Sequence, residues 1–124
     1  MNHIKPIILV TDDARVNRMI LKKYLEKLGC EVIEAVNGLE AVKILQKQTV
    51  SLIFMDIEMP EMDGLTASQT IRQQKLSKAP IIALTGHDAK PSKDALEKNG
   101  ITQLISKPIS AREIDKIQRR FLDL

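Results

Sequence analysis

Short apolar runs alternate with stretches of helical period along the whole chain. The runs Pro6 to Thr11, Val50 to Met55, Pro80 to Leu84 and Thr102 to Ile105 carry apolar residues without a helical repeat, which reads as strand. Val50 to Met55 and Pro80 to Leu84 are continuous enough to be buried on both faces of a parallel sheet. Glu31 to Val36 alternates polar and apolar positions and predicts a shorter strand nearer the sheet edge. Between the first two strands, Val16, Ile20, Tyr24 and Leu28 recur at every fourth position with Leu21 and Leu25 beside them. That repeat predicts one buried helix face, stopped by Gly29.

The later units follow the same logic. Asn37-Gly38 predicts a turn, and Leu39 to Gln48 a second helix with Ala41, Val42, Ile44 and Leu45 inward. Gly64 opens a third helix to about Gln73, and Ser92 to Asn99 makes a short fourth, closed by Gly100. Ser110-Ala111-Arg112-Glu113 is a capping box, after which Ile114, Ile117 and Phe121 give the last helix its buried stripe. Ile57 to Asp63, stiffened by Pro60, and the flexible stretch Gly86 to Pro91 are predicted loops. Five β/α units with no linker or repeat predict one α/β domain over residues 1–124, a parallel sheet with helices on both faces, and residues 1–5 frayed.

Composition narrows the chemistry. The chain has 124 residues, 44% of them hydrophobic and only 2% aromatic. The core is therefore aliphatic, and base-stacking platforms for nucleic acid are nearly ruled out. A net charge of +3 with acids interleaved among the bases reads as a solvated surface rather than a nucleic-acid patch. Cys30 is the only cysteine, so neither an internal disulfide nor a structural zinc site is available, and a reducing cytoplasm is the expected compartment. No stretch reaches membrane-spanning length.

Four strand ends carry chemistry. Asp12-Asp13 follow the first strand, Asp56 the third, Thr85 the fourth and Lys107 the fifth. Carboxyl ends of parallel strands line the crevice where open α/β sheets bind ligands. If the first and third strands are neighbours, three carboxylates share that crevice, a concentration of charge that calls for a hard divalent cation. Each residue taken alone has an ordinary reading: Asp12 as a helix cap, Thr85 as a strand terminus, Lys107 and His87 as surface groups. Met55, Met59 and Met62 read as core filler, and His3 has no expected role. Together they offer a metal site, a nucleophile and a counter-charge, the parts needed to move a phosphoryl group.

In that order and spacing the chain resembles the receiver domain of two-component response regulators over essentially its whole length. The motifs are Asp12-Asp13, the run Met55 to Gly64, Ala83-Leu84-Thr85-Gly86 and Ser106-Lys107-Pro108, with Asn37 to Ala41 as a further match. Their wording is most like receivers associated with hybrid sensor histidine kinases. The resemblance implies a flavodoxin-like (βα)5 fold, doubly wound, with strand order 2-1-3-4-5. It implies that Asp56 accepts a phosphoryl group from a phosphohistidine of a histidine kinase or phosphotransfer protein. Asp13, Asp56 and the backbone carbonyl of Glu58 would ligate Mg²⁺, with Asp12 acting through water; Mn²⁺ would substitute. Lys107 would pair with the phosphoryl oxygens, Thr85 would turn its hydroxyl to one of them, and Pro108 would follow a cis peptide that aims Lys107. Such a domain is a signalling switch rather than an enzyme, a monomer or weak dimer, with no direct contact to nucleic acid or membrane.

One position departs from the family pattern. Leu104 stands three residues before Lys107, where many receivers carry an aromatic ring that reports phosphorylation. The output is then expected to differ, or the domain to pass its phosphoryl group onward, with the partner docking near the acceptor or on the face of the last two helices. Lys116, Arg119 and Arg120 are available there for an acidic partner. A haloacid-dehalogenase-like phosphatase is disfavoured, because Glu58 stands where its second aspartate would be and the nucleophile strand is third rather than first. A non-phosphorylated pseudo-receiver is disfavoured by the intact acids, Thr85 and Lys107. Whether the chain is free-standing, which Met1 favours, or part of a longer protein stays open.

Overall fold

The computed structural model describes residues 5–86 and 90–122. Five β/α units run β1 (Ile7–Thr11), α1 (Arg15–Lys27), β2 (Glu31–Ala35), α2 (Gly38–Lys47), β3 (Leu52–Asp56), α3 (Gly64–Gln73), β4 (Ile81–Thr85), α4 (Lys93–Lys98), β5 (Gln103–Ser106) and α5 (Ala111–Leu122). The strands form one parallel sheet in the order β2-β1-β3-β4-β5. This is the flavodoxin-like order the motifs imply, and β2 is an edge strand as its alternating pattern predicts. His3 and His87 lie outside the described residues, as do four of the five positions expected to fray. No described helix is long and apolar enough to cross a membrane.

Period-two alternation sorts the strands into two cores. Leu9, Ile53, Met55, Ile81 and Ala83 face Ala41, Val42 and Leu45 of α2 and Ala67 and Ile71 of α3. Ile8, Val10, Leu52, Phe54, Ile82 and Leu84 face Leu21 and Leu25 of α1 and Ile114 and Ile117 of α5. Met59 and Met62 pack against the first of these cores, and the thiol of Cys30 is buried in the second. Every residue of β3 and β4 is buried, as their unbroken apolar runs require.

The helix starts show how local chemistry sets boundaries. Asn37 is an N-cap rather than part of a free turn: its Oδ1 accepts the Glu40 N–H at 2.8 Å. Asp63 caps α3 through the Thr66 N–H at 2.8 Å. Ser110 and Glu113 form the reciprocal box at α5, the Glu113 N–H donating to Ser110 Oγ and the Ser110 N–H to Glu113 Oε1.

The face of α1 differs from the expectation. Leu21 and Leu25 are buried, but Val16, Ile20, Tyr24 and Leu28 are 65%, 45%, 38% and 42% exposed. The inner row of this helix is Asn17, Leu21 and Leu25, one position along from the apolar repeat. Its first turn is polar because Asn17 and Arg18 bond to Asp12, so hydrophobicity alone points to the wrong face.

A residue with no sequence signal ties the far side of the sheet. Arg72, near the end of α3, donates Nη1 to the Ser77 carbonyl at 2.9 Å, Nη2 to the Ala79 carbonyl at 2.8 Å and Nε to the Gly100 carbonyl at 3.1 Å. It thereby satisfies carbonyls on both sides of β4 with one planar group. Arg72→Met is expected to lose about 2 kcal/mol of unfolding free energy in urea titrations. An unchanged midpoint would show these bonds to be replaced by water at no cost.

Candidate functional site

The sheet order brings β1, β3, β4 and β5 together, so their carboxyl ends share one crevice. Asp12 follows β1 and is fully buried, and Asp56 ends β3 at 1% exposure. Asp13 is exposed beside them, and one carboxylate oxygen from each of the three lies within 4.8 Å of the others. Thr85 ends β4 and is fully buried, its Oγ1 3.2 Å from the Gly86 carbonyl. The Lys107 backbone N–H donates to the Thr85 carbonyl at 2.8 Å, which fixes where the lysine leaves β5. The peptide between Lys107 and Pro108 is cis.

The Lys107 ammonium reaches both buried acids, with Nζ 3.0 Å from Asp12 Oδ2 and 2.9 Å from Asp56 Oδ2. Asp56 Oδ1 accepts the Glu58 N–H at 3.0 Å. Asp12 Oδ1 accepts the Ala14 N–H at 2.8 Å, and its Oδ2 accepts from Asn17 Nδ2 at 3.3 Å. Arg18, 12% exposed, holds the Asp12 carbonyl through Nη1 at 2.8 Å and Glu34 through Nε at 3.2 Å. Asp12 thus closes the β1–α1 loop without being the helix cap; Ala14 occupies that position.

The charges are out of balance. Burial raises the Asp56 carboxyl from 3.8 to about 6; the Glu58 N–H and Lys107 pull it back only in part, and the Asp12 charge pushes it further up. Burial works against the Lys107 ammonium, but bonds to Asp56 and Asp12 outweigh it and hold its pKa above the ordinary value. One cation against three carboxylates leaves a deficit, and the exposed Asp13 opens the cluster to solvent. Hard oxygen donors, two of them buried, fit a divalent cation such as Mg²⁺.

The sequence singled out Asp12, Asp13, Asp56, Thr85 and Lys107, and the fold brings them together. Glu58 follows Asp56 by two residues and its backbone N–H donates to Asp56 Oδ1. Leu104 lies apart from this chemistry, partly buried against the core and beside Ala83, its register partner on β4. Sequence reasoning missed Asn17, Arg18 and the role of Gly64. A Cβ on Gly64 would run into the Asp56 carbonyl and sit 2.7 Å from Ile57 Cα, so only glycine lets α3 start this close to Asp56. A cavity of about 290 Å³ adjoins the site, and its lining includes Asp12, Asn17, Gly86 and Lys107 together with Ile20 and Pro108.

The family model of the response regulator receiver domain matches residues 8–119. The chain is 33% identical over 123 residues to the sensor protein GacS of Pseudomonas syringae pv. syringae, covering 96% of this chain and 14% of that protein. It therefore spans a small fraction of the length of such relatives. Among solved structures it is similar to the receiver domain of sensor histidine kinase PA1611 from Pseudomonas aeruginosa PAO1, whose active-site cleft coordinates a magnesium ion. The TM-score is 0.83 at 27% identity, covering 98% of this chain and 100% of that one. It is also similar to a chain in the Saccharomyces cerevisiae co-crystal of the histidine phosphotransfer protein Ypd1 with the receiver domain of its downstream response regulator Ssk1. There the TM-score is 0.86 at 26% identity, covering 98% of this chain and 91% of that one.

Proposed function

The chain belongs to the family of response regulator receiver domains, and from that premise we propose that Asp56 takes a phosphoryl group from a phosphohistidine on a sensor histidine kinase or a phosphotransfer protein. The observation that carries the reading is the pairing of one lysine with two buried acids at the end of the central strand. An Asp56 carboxylate oxygen forms the new O–P bond as the donor's N–P bond breaks, and the imidazole nitrogen leaves with the electron pair. Lys107 already lies on Asp56 and supplies positive charge where negative charge gathers on the phosphoryl oxygens. The Glu58 N–H orients the carboxylate, and the buried Thr85 hydroxyl would turn toward a phosphoryl oxygen.

Mg²⁺ would be held by the carboxylates of Asp13 and Asp56 and the Glu58 carbonyl, with Asp12 acting through water; Mn²⁺ would suit the same oxygens. When bound, it neutralises the acidic cluster and the phosphoryl oxygens. The unit is a switch or relay that phosphorylates itself from its donor and loses the group by hydrolysis. The buried, unpaired Cys30 suits a reducing cytoplasm.

Donor proteins dock, in this reading, on the α1 side of the site. Val16, Met19 and Ile20 form an exposed apolar surface there, and Ile20 borders the cavity beside Asp12 and Lys107. The α5 charges are a weaker candidate, since Arg119 pairs with Asp115 at 3.1 Å and Arg120 lies over the Phe121 ring and bonds to Gln103. With Mg²⁺, a phosphorylated kinase or phosphotransfer protein is expected to deposit one acid-stable, base-labile phosphoryl group on the domain. Val16→Asp is expected to slow that transfer roughly tenfold while leaving labelling by acetyl phosphate unchanged. Unimpaired transfer from every protein donor would move the docking face elsewhere, and no labelling by any donor would overturn the acceptor reading.

A further inference from the structure

We propose that the Glu58 carboxylate is an internal anion that occupies the Gly86 N–H in the resting domain, and that a phosphoryl group on Asp56 must displace it to gain that donor. The inference rests on the acceptor reading given above and concerns how the same site is regulated. Strand register sets up the contact. Asp56 pairs with Leu84 across β3 and β4, and the Ile57 N–H donates to the Leu84 carbonyl at 3.0 Å. Two residues further along each chain, Glu58 and Gly86 face one another where the ladder has ended. The Gly86 N–H then lacks a ladder carbonyl, and Glu58 Oε1 takes it at 3.1 Å. A Cβ at residue 86 would stand only 3.3 Å from that oxygen, so glycine leaves the carboxylate room.

The position makes this more than a loop bond. Gly86 borders the cavity that Asp12 and Lys107 also line, and it directly follows Thr85. The backbone N–H of Glu58 already donates to Asp56 Oδ1. One residue therefore contributes its amide to the acceptor and its carboxylate to the neighbouring donor. A carboxylate oxygen and a phosphoryl oxygen ask the same of an N–H, so the two compete for it. Displacement also turns the Glu58 charge away from an arriving dianion. The resting contact thus opposes phosphorylation, and its release frees Gly86 to follow Thr85, a route to output that needs no aromatic ring at position 104.

The test uses the whole chain, Mg²⁺ and beryllofluoride as a stable phosphoryl mimic, read by the Gly86 amide resonance and by the midpoint of the titration. In the resting state, Glu58→Ala is expected to shift the Gly86 amide proton upfield of its wild-type position, with Glu58→Gln between the two. At saturation the wild-type and Glu58→Ala resonances are expected to converge, because the bound anion holds the N–H in both. The alanine variant should need about fivefold less beryllofluoride, the glutamine variant falling between it and wild type. Binding of beryllofluoride by wild type with an unmoved Gly86 amide, or with equal midpoints in all three proteins, would overturn the inference and leave the acceptor reading standing. No binding by wild type at all would overturn both.

Discussion

Asp56→Asn is expected to abolish phosphoryl uptake and, without a divalent cation, to make the domain more stable at neutral pH than the wild type. The Asp56 side chain is 2% exposed, and its carboxyl is raised from 3.8 to about 6. Between those two pH values the folded protein keeps a proton that the unfolded chain has released, so wild-type stability falls as pH rises through that window. The loss is complete above about pH 7 and amounts to about 3 kcal/mol, a net figure that already includes the attraction of Lys107. Asparagine is neutral throughout and close in size, so the variant escapes the loss. Melts in EDTA should show the variant ahead at pH 7 and the two proteins converging near pH 4. Millimolar Mg²⁺ should narrow the gap at pH 7, because the cation binds the wild-type carboxylate and stabilises only the folded state. A gap that does not change with pH, or full labelling of the variant by acetyl phosphate at another residue, would remove Asp56 from the role assigned to it.

Lys107→Ala is expected to act in the opposite direction on stability and to slow phosphorylation. It leaves Asp12 and Asp56, buried to 2% exposure or less, without their shared cation. Removing one partner of a buried ion pair costs more than the pair contributes, here about 3 kcal/mol at pH 7 in EDTA. Because the wild-type lysine stays protonated well past neutrality, the loss should change with pH only through the acids, shrinking as Asp56 takes up a proton below about pH 6. Mg²⁺ should restore much of it. In the double variant with Asp56→Asn the cost of losing the lysine should fall, and the coupling measured by that cycle reports the Lys107–Asp56 contact. Labelling by acetyl phosphate should slow roughly a hundredfold, since an oriented positive charge is missing from the reacting phosphoryl group. Lys107→Arg is not a conservative replacement, because a planar fork does not fit between two carboxylates spaced for a point charge. Wild-type stability and labelling in Lys107→Ala would reduce the lysine to a surface group.

The amino-acid sequence by itself determined the order of elements, the parallel sheet and the five chemical residues at its carboxyl edge. The reason is that each signal is local. An unbroken apolar run such as Leu52 to Met55 reads as a strand covered on both faces, and Ser110 with Glu113 announces a helix start through bonds between residues three positions apart; Asn37 and Asp63 make the same kind of cap, which the sequence showed only as turn and loop. Residues placed at strand ends converge once the strands lie side by side, so Asp12, Asp56, Thr85 and Lys107 could be named before any distance was known. The tertiary structure alone decided what those residues do to one another. Periodicity gives the faces of a helix but does not say which neighbour each face meets, and α1 turns Leu21 and Leu25 inward onto the core while Asn17 and Arg18 bond to Asp12. The apolar row Val16, Ile20 and Tyr24 is left to solvent instead of joining the core, and it adjoins the surface proposed above for a donor protein. Arg72 reaching Gly100, Glu58 reaching Gly86 and Lys107 shared between two acids all join residues far apart in the chain, at sites that only the folded backbone brings within hydrogen-bonding range.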